Sequence, residues 1–223
     1  MSDTPDLSTV PRQAQRTSAG PVEAISGVVW DFGNVLIAWD PVPAVAAGVG
    51  EEEAARFLAE YDFHAWNLAC DAGRSWAEAL AELEREAPQW LPHGRAYVDH
   101  FPHSLTGPVP GTHELVRELH AAGVPQIGLT NWSHELYPHA PASYDVVGLL
   151  HDVVVSGTER LAKPDPAIYR LAAERVELPP ERLVFVDDNP ANVAAAAELG
   201  MHAVRFTGAE ALRADLRALG LPV

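Results

Sequence analysis

Short apolar runs closed by small or polar residues alternate with stretches of helical periodicity along most of this chain. The first run, ISGVVWDFGNVLI over 25–37, reads as a buried strand that ends on Asp31, with Gly33-Asn34 as the turn that stops it. A further segment, 35–40, follows, and Pro41 and Pro43 then break the chain. From 42 to 103 the pattern is helical throughout. Residues 51–60 open with three acids, which suits the positive end of a helix. Residues 61–72 carry Trp66 and Cys70 at helical spacing. Ser75-Trp-Ala-Glu78 matches a capping box and starts a helix to Ala87, ended by Pro88. Residues 89–103 predict one more helix or a bent pair. No strand candidate interrupts this block, and about 65 residues is too long for a loop in a compact domain without a small core of its own.

Residues 106–111, with Pro108 and Pro110, read as the hinge back to the main unit. From there strand and helix alternate. Helices are expected over 112–122, 133–147 (with proline interruptions), 165–177, 190–199 and 210–219. Strands are expected over 124–130, 151–156, 183–187 and 202–206. With the opening run this makes about five short apolar strands, an α/β pattern that implies a parallel sheet covered by helices on both faces. The domain expectation is therefore a disordered tail over 1–24, rich in Ser, Thr, Pro, Gln and Ala, a core built from 25–40 and 105–223, and an inserted all-helical cap over 41–104.

Composition narrows the possibilities. Of 223 residues, 48% are hydrophobic, ample for a core. Lys and Arg number 15 against 31 Asp and Glu, a formal charge of −16 that repels phosphate backbones and argues against a nucleic-acid partner. An anionic small substrate would then need locally placed positive charge. A single cysteine, Cys70, excludes an internal disulfide or a cysteine zinc site and fits a reducing cytoplasm. No apolar run approaches the roughly 18 residues of a membrane span, and 1–24 lack the apolar core of a signal peptide. A soluble, cytoplasmic protein is expected, as a monomer or a homodimer.

Polar groups sit where strands end. An isolated carboxylate at Asp31 would as readily cap the next turn, but three later segments change the weighing. One strand ends at Thr130-Asn131 and another at Asp187-Asp188-Asn189, and Lys163 lies just before the helix that follows the third strand. In a parallel sheet all carboxyl ends lie along one edge, so these groups should converge. Three carboxylates repel one another unless a cation sits among them, and oxygen ligands without His or Cys select Mg²⁺. A lysine and a threonine hydroxyl beside the metal would hold an anion. Such a set serves phosphoryl transfer to a carboxylate nucleophile.

At these residues the chain resembles the haloacid dehalogenase-like hydrolases, over residues 25 to about 206. Asp31-Phe-Gly-Asn-Val35, Leu129-Thr130-Asn131, Lys163-Pro164 and Val186-Asp-Asp-Asn189 match the family's four motifs in order, and the helical block falls where one branch carries its cap. The resemblance implies a Rossmann-like catalytic core and, from the opening motif together with Asp-Asp-Asn, a phosphatase similar to those acting on sugar 1-phosphates. It implies that Asp31 is the nucleophile, that Thr130, the Asn131 backbone and Lys163 hold the phosphoryl group, and that Asp31, Asp187 and Asp188 hold Mg²⁺, Asp188 being the surer ligand. The substrate would be a small phosphorylated metabolite. The family's dehalogenases use no metal and keep one acid in the fourth motif, so Asp187-Asp188 speaks against a 2-haloacid dehalogenase.

One departure stands out. The family's usual second aspartate, the general acid and base, is here Gly33. Its backbone carbonyl can still ligate Mg²⁺, but proton delivery to the leaving group, worth about 10²–10⁴ in rate, goes missing. Three readings follow: a substrate whose leaving oxygen needs little protonation, a substitute acid such as Asp40 or His64, or a slow or inactive chain that serves as a phosphate-binding or interaction module. The cap aromatics Tyr61, Phe63, Trp66, Trp76 and Trp90 read mainly as core, and Trp39 and Trp132 as the better pocket-lining candidates.

Overall fold

The computed structural model describes residues 24–223, so the expected tail over 1–24 lies outside the described residues except for Ala24. In chain order the elements are β1 (Gly27–Trp30), β2 (Ile37–Trp39), α1 (Pro41–Val49), α2 (Glu51–Glu60), α3 (Phe63–Asp71), α4 (Trp76–Glu86), α5 (Leu91–Asp99), β3 (Leu105–Pro108) and α6 (Thr112–Ala121). There follow β4 (Gln126–Thr130), α7 (His139–Ser143), β5 (Asp152–Val155), α8 (Ser156–Glu159), α9 (Pro166–Arg175), β6 (Leu183–Asp187), α10 (Pro190–Glu198), β7 (His202–Arg205) and α11 (Ala209–Ala218).

Five strands form one parallel sheet in the order β5-β4-β1-β6-β7. β1 lies at its centre, with all four residues buried, because it is apolar on both faces. Alternation sends Val28 and Trp30 into one core and Val29 into the other, where Ile127, Leu129, Tyr169 and Phe185 meet it. The buried Trp30 indole donates to Gln126 Oε1 at 2.9 Å, and Gln126 Nε2 donates to the Val116 carbonyl at 3.0 Å. Each polar atom of that pair thus has a partner inside the core. Chain order reverses beside β1, with β4 on one side and β6 on the other, and such a switch point opens a crevice at the strands' carboxyl ends. Among the described residues no helix is long and apolar enough to cross a membrane.

The helices α1–α5 make the inserted block. Its interior is aromatic: Phe57, Phe63, Trp66, Trp76 and Tyr97 are buried and pack edge-on or tilted against one another. Ser75 and Glu78 close both halves of the capping box that starts α4.

The structure departs from the sequence reading in three places. The hinge expected at 106–111 begins as a strand: β3 pairs antiparallel with β2 in a two-stranded ribbon through which the chain leaves and re-enters the core. Strands of three and four residues are too short for alternation to show, and Pro108, which reads as a breaker, sits at the end of the ladder where its missing donor costs nothing. The helix expected over 133–147 is mostly turns with a short α7, because Pro138 and Pro141 remove donors from it. The one-turn α8 was not expected. It is seated so close to the loop after β4 that a Cβ on Gly157 would lie 2.6 Å from the His134 nitrogen and 2.8 Å from the Trp132 carbonyl oxygen. Those are backbone atoms and cannot swing aside. Gly157→Ala should therefore cost about 1–3 kcal/mol by overpacking. Urea denaturation checks this, and an unchanged midpoint would mean that the contact yields freely.

Candidate functional site

Asp31 leaves the end of β1 with its backbone N–H donating to the Val186 carbonyl at 3.0 Å, which ties it to β6. The turn beyond it is tight. The Phe32 carbonyl accepts from Val35, Leu36 and Ile37, and Asn34 takes a left-handed φ of 57° that its short polar side chain tolerates. Asp31 Oδ1 accepts from the Phe32 N–H at 2.7 Å and from Lys163 Nζ at 2.7 Å. Lys163 Nζ also donates to Asp187 Oδ2 at 2.8 Å, and its side chain is 2% exposed. The lysine is aimed by Asn131, whose side chain accepts from the Lys163 N–H at 2.8 Å and donates to the Lys163 carbonyl at 2.9 Å. The end of β4 therefore fixes the segment that follows β5.

Asp31, Asp187 and Asp188 each offer a carboxylate oxygen within 4.8 Å of the others. The convergence expected of strand ends is realised for these three and Lys163. Burial pushes the Asp31 carboxyl up to about 7; the Lys163 charge works against this and the Asp187 charge adds to it. Burial also opposes the Lys163 charge, but the two carboxylates outweigh it and hold the ammonium above its usual range. Asp188 is half-buried, and desolvation followed by the Asp187 charge raises its carboxyl too. Three acids against one lysine leave negative charge that a hard divalent cation would neutralise, and the all-oxygen donor set fits Mg²⁺.

Asn192 was missed by sequence reading. Its Nδ2 donates to both oxygens of Asp187, at 3.2 and 3.0 Å, and the Asn189 N–H adds a third bond at 2.8 Å. Asp187 is thereby saturated, whereas Asp188 keeps its carboxylate half open. The only signal was an Asn one helical turn past Asp-Asp-Asn, which reads equally as an ordinary helix residue.

Gly33, Thr130 and Asn131 line a cavity of about 120 Å³ between the sheet edge and the insertion. Trp39 and Trp132 line it as well, and so do Trp76, Tyr97 and Phe101, with Asn67, Asp71 and Ser133 as polar members. Trp66 and Trp90 stay in the helical block. A Cβ on Gly33 would meet nothing within 4 Å, so the missing aspartate has left open space. Of the two proposed substitutes, Asp40 is an exposed helix cap whose carboxylate accepts from the Val42 N–H at 2.9 Å. His64 is exposed and lies edge-on to Trp39. Asp71, which sequence reading passed over inside an expected helix, lines the cavity instead. It is 9% exposed, and burial pushes its carboxyl up to about 8.

The chain belongs to the haloacid dehalogenase-like hydrolases, whose family model matches residues 25–200. Hexitol phosphatase A of Escherichia coli K12 is 33% identical over 135 residues, covering 60% of this chain and 57% of that protein. The (S)-2-haloacid dehalogenase H-109 of Pseudomonas putida is 29% identical over 107 residues, 48% of this chain and 45% of that protein. The matched stretch thus spans about half the length of each of these relatives. A HAD family enzyme of Bacteroides thetaiotaomicron, solved in complex with magnesium and inorganic phosphate, superposes with a TM-score of 0.66 at 20% identity, over 82% of this chain and 95% of that one.

Replacing Lys163 by methionine would leave two buried carboxylates without their shared cation, at a cost of about 3–5 kcal/mol. Asp31, already raised, would rise further. A carboxyl raised in the folded state contributes stability at low pH that is lost as pH climbs through the folded value. Measured in EDTA, the deficit of Lys163→Met against wild type should be larger at pH 8 than at pH 5. A deficit independent of pH would contradict this account.

Proposed function

We propose that the protein is a Mg²⁺-dependent phosphatase that hydrolyses a small phosphorylated metabolite, a sugar or polyol phosphate being the best fit, through an aspartyl-phosphate on Asp31. The observation that carries this reading is the meeting of Asp31, Asp187 and Asp188 within 4.8 Å, with Lys163 bonded to the first two. Hexitol phosphatase A among the relatives supports it.

Both hydrogen bonds to Asp31 fall on Oδ1, which leaves Oδ2 to attack phosphorus in line. The bond from phosphorus to the leaving oxygen breaks, and water then attacks the phosphorus of the aspartyl-phosphate and frees the Asp31 carboxylate. Lys163 offsets charge on the transferring oxygens, and Thr130 with the Asn131 backbone N–H would hold them. Asp31, Asp188 and the Gly33 carbonyl would bind Mg²⁺, with Asp187 beside them. The metal, when bound, supplies positive charge that keeps Asp31 ionised and draws density from the phosphoryl oxygens. The helical insertion serves as the cap that excludes water. Among the described residues the cavity is lined by no Lys, Arg or His, which suits a small, uncharged leaving group with hydroxyls for Asn67, Asp71 and Ser133 and a carbon face for the tryptophans.

The dehalogenase relatives motivate a second reading. A panel of phosphorylated metabolites and 2-haloacids, assayed with Mg²⁺ and with EDTA, separates the two. Phosphate release that needs Mg²⁺ and falls at least about 10³-fold in Asp31→Asn is the expected outcome. Chloride release in EDTA would establish the dehalogenase, and silence across the panel would favour a phosphate-binding module.

A further inference from the structure

The cavity lined by Gly33 is also lined by a carboxyl group to which no proton transfer has been assigned. Asp71 lies at the end of α3, in the insertion, and lines the same cavity as Gly33, Thr130 and Asn131. We propose that Asp71 supplies from the insertion the proton that Gly33 cannot, acting as general acid on the leaving oxygen and then as general base on the attacking water. The assignment rests on the phosphatase reading and names the acid for that same site.

Three observations carry it. First, the carboxyl is held in place: Asn67 Nδ2 donates to Asp71 Oδ2 at 2.8 Å, Tyr97 in turn donates to Asn67 at 3.1 Å, and the Ser133 backbone bonds Asp71 from the core side. Second, its own backbone is clamped to the core, since Ser156 Oγ donates to the Asp71 carbonyl at 2.5 Å. Trp76 adds bonds to Ser133 and Glu135 at 2.8 and 2.9 Å. The acid is therefore held in the cavity by contacts between the insertion and the sheet edge. Third, the group is protonated at neutral pH, because burial raises it to about 8. That lies close to the operating pH, where a proton donor is most effective.

The titratable groups around it do not reverse this. Cys70 and Arg74 adjoin it on the insertion, with burial pushing the Cys70 thiol up to about 11 and Arg74 paired to Glu82 at 2.5 Å. Tyr97 faces it from α5, its phenol raised by burial first and by the Asp71 charge second. Glu135 stands on the segment after β4 and accepts from Trp76. Glu159, on the α8 that packs against α3, is engaged by Arg175 at 2.6 Å.

The proton balance closes. In the first half, the bond from Asp31 Oδ2 to phosphorus forms, the bond to the leaving oxygen breaks, and the Asp71 proton moves to that oxygen, releasing an alcohol. In the second half, Asp71 carboxylate takes a proton from water as its oxygen bonds phosphorus. The phosphorus–Asp31 bond then breaks, inorganic phosphate leaves, and both acids return to their starting states.

The test compares wild type, Asp71→Asn and the double variant Asp71→Asn/Gly33→Asp on phosphate monoesters whose leaving groups run from alkyl alcohols to p-nitrophenol, with Mg²⁺ present. Asp71→Asn, which keeps the shape and the acceptor for Asn67, should lose about 10²–10⁴-fold in kcat/KM on alkyl phosphates but less than about tenfold on p-nitrophenyl phosphate. The wild-type profile should fall above about pH 8 as the acid ionises, and that limb should vanish in the variant. The double variant, whose new side chain enters open space, should recover alkyl phosphates. A uniform loss across the series, or a pH limb retained in Asp71→Asn, would overturn the assignment of Asp71 alone. A wild type inert on every ester would instead remove the phosphatase reading, and this assignment with it.

Discussion

One ammonium group holds the carboxyl edge of the sheet together. Lys163 lies almost fully buried between Asp31 and Asp187, at the ends of the adjacent strands β1 and β6, and these charges could not be buried without it. The lysine arrives from a third direction, on the segment after β5 and α8, so its backbone must be fixed from outside its own element. Asn131 does this with a two-bond clasp from the end of β4. Four distant parts of the chain are thus locked in one register by four short bonds, two ionic and two to the Asn131 amide. The register matters because a misplaced ammonium would leave either carboxylate uncompensated in a low-dielectric site.

The fold was largely legible from sequence because its signals were of the strong kind. Strand β1 is apolar on both faces, and β6 is a run of four apolar residues ending in an acid; patterns of this kind have few other uses than a buried strand. The three polar strand ends, and Lys163 on the segment beyond a fourth strand, could be placed together because parallel topology puts carboxyl ends on one edge. What failed was shorter or more tertiary. The β2–β3 ribbon is too brief to show a period, and α8 is a single turn dictated by its contact with the loop after β4. Asn192 and Asp71 carry no motif. Their surroundings are assembled by side chains from elsewhere, Asp187 for one and Tyr97 with the Ser133 backbone for the other, and no local pattern encodes that.

The charge of the chain and the lining of the cavity tell a consistent physical story. In a protein with a formal charge of −16, arginines such as Arg56, Arg117 and Arg213 pair with carboxylates at the surface, whereas Lys163 is buried at the sheet edge and shared by two acids. The neighbouring cavity is lined by tryptophan, tyrosine and phenylalanine, by the apolar Ile37 and Leu136, and by polar groups of which Asp71 is the acid. Rigid aromatic walls of this kind can discriminate between ligands by shape and hydrogen bonding. Such walls reject an unsuitable polar group by leaving it unpaired.

The paired strands β2 and β3 have a mechanical consequence. The insertion is joined to the sheet by both chains of one antiparallel ladder, with Ala38 opposite Gly107 and the Thr106 hydroxyl donating to the Ala38 carbonyl. Two tethers bonded to each other resist twisting and sliding but flex together across their width, as a leaf spring does. The helical block is thereby anchored at both of its chain ends by one ribbon rather than at two separate points of the rim.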